Sequence, residues 1–219
     1  WTGPRTVSFS GVHNDDSAVF SPGGERLWFT STRPVDAEQV PGDFNIWYVE
    51  RRGGHWGEPV YAGDTLNTPH SEWRLTFTRD GTMYLSSNRS DPEFGTFDLL
   101  VSHRADGRYS APVPMGHGVN TPVTEQIGVV APDGSFVVFY RFDPGNPDET
   151  GLYVSFRAQD GSWGRGTTMG DAFNAPPEAV TQAASLSPDG KYLFFLRRMH
   201  EAIYWVDARV IEDLRSELH

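Results

Sequence analysis

The chain of 219 residues has no cysteine, which excludes a disulfide framework and thiolate chemistry. It has a single lysine, Lys191, so nearly all its positive charge sits on arginine, a residue suited to fixed planar hydrogen bonding. The 18 Lys and Arg against 29 Asp and Glu leave a net charge of −11. That sign is wrong for a phosphate backbone, and no nucleic-acid partner is expected. No run approaches the ~18 apolar residues of a membrane span. No G-x-S-x-G, H-E-x-x-H or phosphate-loop pattern occurs. No signal peptide is visible, yet the chain opens on Trp1 rather than Met, so removal of an N-terminal segment is expected.

What is present is a repeat of about 54 residues. Asn67-Thr68-Pro69 returns as Asn120-Thr121-Pro122 and as Asn174-Ala175-Pro176. Trp56 returns as Tyr109 and Trp163. Asp80-Gly81 returns as Asp133-Gly134 and Asp189-Gly190, with Gly23-Gly24 in the same place upstream. A period near this length signals a solenoid, a propeller or an array. Aromatic residues make up 13% of the chain, and 23 Gly with 16 Pro supply turns, which suits short half-buried strands.

One repeat shows the unit. Trp73 to Thr78 and Thr82 to Ser87 are strands joined by the Arg79-Asp80-Gly81 hairpin, and Phe97 to His103 is a third. A fourth, outer strand opens at Arg108 and is broken by Pro112, tolerable at an edge. Four antiparallel strands per unit is the blade pattern of a propeller. The second strands, such as Phe136-Val137-Val138-Phe139 and Tyr192-Leu193-Phe194-Phe195, are apolar at consecutive positions, so both faces must be covered. The recurrent Trp56, Tyr109 and Trp163 are expected to pack between blades.

The expected fold is an all-β, four-bladed β-propeller forming one domain over residues 1–219. Its repeats run over about 13–66, 67–119, 120–173 and 174–209, the last completed by residues 1–12. Trp1-Thr2-Gly3-Pro4 matches Trp56-Gly57-Glu58-Pro59, the start of an outer strand, so pairing of the N-terminal strand with the last blade is expected to close the ring. The alternative is that further blades lie outside this chain. Val210, Ile211, Leu214 and Leu218 fall on one face of a short C-terminal helix over 210–219.

Phe20-Ser21-Pro22-Gly23-Gly24, Ala131-Pro132-Asp133-Gly134 and Leu186-Ser187-Pro188-Asp189-Gly190 resemble the turn of WD40-like repeats of the TolB type. Ser86-Ser87-Asn88-Arg89 and Asp98-Leu99-Leu100-Val101 resemble that family's next segment. The resemblance implies a β-propeller and a periplasmic or extracellular location. It implies no particular function, since such repeats serve many roles.

Two regions could carry chemistry. The loops Arg33 to Asp43, Asn88 to Thr96 and Phe142 to Thr150 share one face and hold Asp36, Glu38, Asp43, Asp91, Glu93, Asp143, Asp148 and Glu149, with Phe44, Phe94 and Phe142. They form a solvated acidic surface or a face that attracts a cation or cationic ligand. The second region is the entrance to each inner strand. Counting back nine residues from each hairpin glycine gives Asp15, Glu72, Glu125 and Thr181, and counting back eleven gives His13, His70, Val123 and Ala179. The fourth copy is longer, so Glu178 can stand in for Thr181.

A ring would gather these around one central mouth, with Asp15, Asp16, Trp73, Arg74, Arg89, Gln126, Glu178 and Gln182 as candidate ligand-binding residues. Three readings stay open for the acids. Each can pair with an arginine of its own blade, Arg33, Arg89, Arg141 or Arg198. Carboxylates also suit calcium, and two histidines admit zinc. Finally, His13 or His70 with Glu72 or Glu125 can act as base and partner. The expected function is a monomeric module binding a small molecule or protein at an acidic face and central mouth. The alternative is a hydrolase or lyase using the His/carboxylate cluster.

Overall fold

The computed structural model describes residues 3, 5–36, 43–89, 95–174, 180–198 and 201–217. Four antiparallel blades follow one another along the chain. Blade 1 holds β1 (Asp15–Phe20), β2 (Arg26–Ser31) and β3 (Asn45–Arg52), edged by the short pieces β4 (His55–Trp56) and β5 (Val60–Tyr61). Blade 2 holds β6 (Glu72–Phe77), β7 (Met83–Ser87) and β8 (Asp98–Ser102), followed by the small hairpin β9 (Arg104–Ala105) and β10 (Arg108–Tyr109) and the outer piece β11 (Val113–Pro114). Blade 3 holds β12 (Thr124–Val130), β13 (Phe136–Phe142), β14 (Gly151–Phe156) and β15 (Thr167–Thr168). Blade 4 holds β16 (Thr181–Leu186), β17 (Tyr192–Arg197) and β18 (Ala202–Asp207). The outer strands of blades 1 and 2 are pairs of residues, where Pro59 and Pro112 lack the N–H that a longer ladder needs.

The consecutive apolar residues of the second strands divide between two interfaces, because successive side chains point to opposite faces. Met83 and Leu85 join Trp28, Ile46 and Leu66 between blades 1 and 2. Tyr84, between them in sequence, joins Val137, Phe139 and Tyr153 between blades 2 and 3. Val138 and Tyr140 join Leu193 and Phe195 between blades 3 and 4. Tyr109 meets Trp28 edge-on at 5.5 Å, and Trp163 meets Tyr84 at 6.1 Å, so two of the recurrent aromatics bridge to the preceding blade as expected.

The Asp-Gly hairpins are held by their own carboxylates. Asp80 accepts from the Thr78 hydroxyl (2.6 Å) and the Thr82 amide (3.0 Å). Asp189 accepts from Ser187 and from the Lys191 amide. Gly81, Gly134 and Gly190 sit at φ of +88°, +74° and +72°, where a Cβ would be strained.

The helix α2 (Val210–Glu217), which follows the four-residue α1 (Asp171–Asn174), buries Ile211 against the blade 3–blade 4 core. Its Arg215 lies over the Phe156 ring at 4.5 Å. The closing strand expected over Trp1-Thr2-Gly3-Pro4 falls almost wholly outside the described residues. Among the described residues blade 4 has three strands and no N-terminal partner, and residues 5–12 form no strand. Trp1, Thr2 and Pro4 lie outside the described residues. The N-terminal segment turns to blade 1, where Phe9 stacks on Phe29 at 5.4 Å and covers Trp47 and Val49.

Candidate functional site

The repeated Asn-Thr-Pro signature is a joint between blades. The Asn67 side chain accepts from the Ile46 amide (2.6 Å) and donates to the Ile46 carbonyl (3.1 Å). Asn120 does the same to Leu99, and Asn174 to Leu152. Each asparagine thus completes the third strand of the preceding blade like one rung of an added strand. The threonine that follows turns to the acid of the next inner strand. Thr68 donates its hydroxyl and its amide to Glu72, and Thr121 donates both to Glu125.

Glu72 and Glu125 are fully buried. Arg89 donates to Glu72 Oε1 at 3.0 Å, to the Leu66 carbonyl at 2.8 Å and to Ser87. Arg141 donates to Glu125 at 2.9 Å and to the Val119 carbonyl. In blade 1, Arg33 pairs with Asp15 at 2.8 Å and donates to Ser31 and to the Phe9 carbonyl. Burial pushes the Glu72 and Glu125 carboxyls above their ordinary range, against the pull of the threonines and arginines. Both oxygens of each glutamate are engaged, so the arrangement tethers inner strand, second strand and incoming linker together.

Blade 4 departs from this pattern. Its inner strand starts at Thr181, whose hydroxyl donates to the Phe173 carbonyl. Arg197, not the expected Arg198, takes the scaffold place and donates to the carbonyls of Ala172 and Phe173. Arg197 is the residue paired with Thr181 across the sheet, and a two-arginine run leaves that choice open in the sequence. Glu178 and His200 lie outside the described residues.

The central mouth is built by other side chains. Each inner strand carries a one-residue bulge, between Asp16 and Val19, Trp73 and Leu75, Ile127 and Val129, and Gln182 and Ser185. An extra residue changes which side of the strand faces the axis. Ser17, Arg74 and Ala183 take the strained left-handed conformation there, with φ of +55°, +48° and +56°. Blade 3 has Gly128 instead, because a Cβ would come within 2.9 Å of both the Val138 carbonyl and Ala184.

Above the bulges lies an open cavity of about 520 Å³, lined by Asp16, Trp73, Arg74, Thr124, Gln126, Tyr140, Phe142, Gln182 and Arg198. Asp16 accepts from the Trp73 indole at 3.1 Å, which joins blades 1 and 2 at the rim. Trp73 stacks on Phe44 at 5.8 Å, and the Arg74 guanidinium lies over the Trp73 ring at 5.5 Å. Burial raises the Tyr140 hydroxyl pKa, opposed by the nearby charges of Arg198 and Arg74.

Five expected residues therefore line the mouth: Asp16, Trp73, Arg74, Gln126 and Gln182. His13, His70, Glu72, Glu125, Asp15 and Arg89 are not among its walls. His70 is exposed in the linker into blade 2, and the bulges turn its neighbours away from it. Tyr140 and Thr124 were not indicated by position in the repeat, while Arg198 was expected as a scaffold arginine and Phe142 in an acidic loop. The one available signal was the alternation Phe139-Tyr140-Arg141-Phe142, which puts Tyr140 and Phe142 on one face. Among the described residues no three His, Asp or Glu side chains converge on a point that could hold a metal ion.

The acidic loops are partly described. Glu38, Asp91, Glu93 and Phe94 lie outside the described residues. Asp143 accepts from the amides of Gly145 (2.8 Å) and Asn146 (3.1 Å), and Glu149 accepts from the Tyr153 hydroxyl. Those carboxylates hold their own loop.

In sequence, the chain matches no protein-family model and no curated protein. In structure it is similar to β-propeller proteins. A protein assigned as TolB in Agrobacterium tumefaciens superposes over 92% of this chain and 57% of its own, at 18% identity and a TM-score of 0.54. The periplasmic gluconolactonase PpgL of Pseudomonas aeruginosa superposes over 87% of this chain and 52% of its own, at 13% identity and a TM-score of 0.51. The tricorn protease superposes over 90% of this chain and 21% of its own, at 12% identity and a TM-score of 0.55. The chain thus spans about half the length of the first two. The fold is a β-propeller with an arrangement of four blades, similar to that of the TolB protein.

Proposed function

We propose that this propeller is a binding module whose small-molecule ligand sits in the central mouth. The observation that supports it is the cavity of about 520 Å³ where the inner strands meet, walled by polar and aromatic side chains with Arg74 at a strained bulge position among them. Its size falls within the ~300–1,000 Å³ usual for ligand pockets. Backbone strain of ~1–3 kcal/mol per residue persists only where its surroundings impose it, and binding sites are where it gathers. The alternative, hydrolysis or elimination at a His/carboxylate cluster, gains nothing from the geometry, because its four residues are not in these walls.

The test is a fragment screen read by the Trp73 indole N–H, which donates to Asp16 at the rim. Its resonance is assigned with Trp73→Phe. Hits are expected to shift this resonance with the Gln126 and Gln182 side-chain amides. A screen whose hits move only resonances elsewhere would remove the mouth as the site. We also infer an exported location, the setting printed in the name of PpgL. Fractionation that finds the native protein only in the cytosol would overturn that.

A further inference from the structure

We infer that the ligand of this mouth is an aromatic carboxylate, its anionic end held by Arg74 and Arg198 and its ring against Trp73, Tyr140 and Phe142. The inference rests on the binding reading above and adds the chemical class.

The charge balance of the walls carries the first half. Two guanidiniums and one carboxylate line the cavity. That carboxylate, Asp16, is already engaged: Oδ2 accepts from the Trp73 indole, and Oδ1 accepts from the Ser17 amide and hydroxyl. Among the described residues neither Arg74 nor Arg198 forms an ion pair, whereas Arg33, Arg89 and Arg141 all do. Arg74 is held over Trp73, and its Nε is buried with no hydrogen-bond partner among the described residues. A buried donor without a partner is rare and calls for an acceptor. Arg74, Arg198 and Tyr140 line the same cavity. A guanidinium fork matches a carboxylate with two parallel hydrogen bonds.

The aromatic walls carry the second half. Trp73, Tyr140 and Phe142 come from blades 2 and 3 and face the same space. Trp73 is fixed in place by stacking on Phe44 and by contact with Phe97. Fixed aromatic faces favour a planar ring in offset or edge contact. Gln126 and Gln182 add amide groups that can bond a ring hydroxyl. The net charge of −11 opposes an anion only at long range, since salt screens it beyond ~8 Å.

The experiment titrates the chain with 4-hydroxybenzoate, its neutral amide 4-hydroxybenzamide, and inorganic phosphate, read on the Trp73 indole. The acid is expected to bind about tenfold or more tighter than the amide, the difference between a charge-assisted and a neutral hydrogen-bonded contact. Arg198→Gln, at an exposed position, is expected to weaken the acid far more than the amide and so to remove most of that preference. Arg74→Gln should do the same if it folds; Arg198→Gln decides the matter if it does not. Equal binding of acid and amide overturns the anion inference and leaves the binding site standing. Phosphate binding as tight as the benzoate overturns the ring contribution. If none of the three moves the Trp73 resonance, the inference and the site both fall.

Discussion

At the scale of single residues, burial separates scaffold from site. Glu72 is fully buried and every oxygen is bonded, so removing it strands Arg89 among the Leu66 carbonyl and Ser87. Breaking a buried pair from one side costs about 3–5 kcal/mol, whereas replacing both partners with apolar groups is often close to neutral. Glu72→Ala is therefore expected to lower Tm by about 10 °C, and Glu72→Met with Arg89→Met to recover most of the loss. Thermal melts followed by circular dichroism would show it; an unchanged Tm in Glu72→Ala would refute the scaffold role. His70 is exposed, and His70→Ala should stay within about 0.5 kcal/mol of the parent. The scaffold pairing was open in the sequence as one of three readings. The count back from the hairpin glycines located the acids correctly, but a count along the chain carries no information about which way a side chain turns after a bulge.

At the scale of strands and turns, the repeat marks have a physical meaning that composition alone could not supply. The asparagines of the joint bond a backbone two strands away, so each mark belongs to a contact between blades. Asn120→Ala leaves the buried Leu99 amide without a partner, at ~1–3 kcal/mol, while the Leu99 carbonyl keeps the Met115 amide. The expected signature is faster hydrogen exchange at the Leu99 amide together with a lower urea midpoint; a Leu99 amide as protected as in the parent would contradict it. The hairpins predict the acid behaviour. Bonds from the Ser187 hydroxyl and the Lys191 amide lower the Asp189 carboxyl to about 2, and the Thr78 and Ser135 hydroxyls lower Asp80 and Asp133. A carboxyl with a depressed folded-state pKa gives stability that is complete above the unfolded value and is lost as pH falls through the folded one. The urea midpoint is therefore expected to fall between pH 4 and pH 2, less steeply in Asp189→Asn. Equal slopes in parent and variant would count against the hairpin as the source. Strand type and hairpin position were legible because alternation and Asp-Gly are local signals. Arg197 against Arg198, and the walls contributed by Tyr140 and Phe142, were not, because they depend on pairing across the sheet and on packing between blades.

At the scale of the whole molecule, the two outward faces of the blade series are treated differently. The face of blade 1 is covered: Phe29 and Trp47 lie under Phe9, Trp56 and Tyr61. The face of blade 4 is open, with Ile203 at 73% exposure, Trp205 at 62% and Tyr192 at 40%. The matched phases of the two ends suggest a closing strand over Trp1-Thr2-Gly3-Pro4, which lies almost wholly outside the described residues. Phe9 reaches the Phe29 face within a few residues, and the energy of aromatic stacking there, ~0.5–1.5 kcal/mol beyond area burial, favours that placement. Phe9→Ala is therefore expected to destabilise blade 1. On blade 4 the reverse holds, since Ile203 and Trp205 make few contacts that folding depends on. A contiguous apolar strip beside a sheet edge is a site of association for exposed hydrophobic surface. Ile203→Lys with Trp205→Lys is expected to leave Tm nearly unchanged, to reduce binding of a hydrophobic reporter dye, and to raise the concentration at which the protein precipitates. The double variant leaves the mouth untouched, so the shift of the Trp73 indole on ligand addition should match the parent. A fall in Tm of more than about 5 °C, well beyond the ~2–4 °C per kcal/mol expected of a neutral surface change, would mean that these side chains cover a core after all.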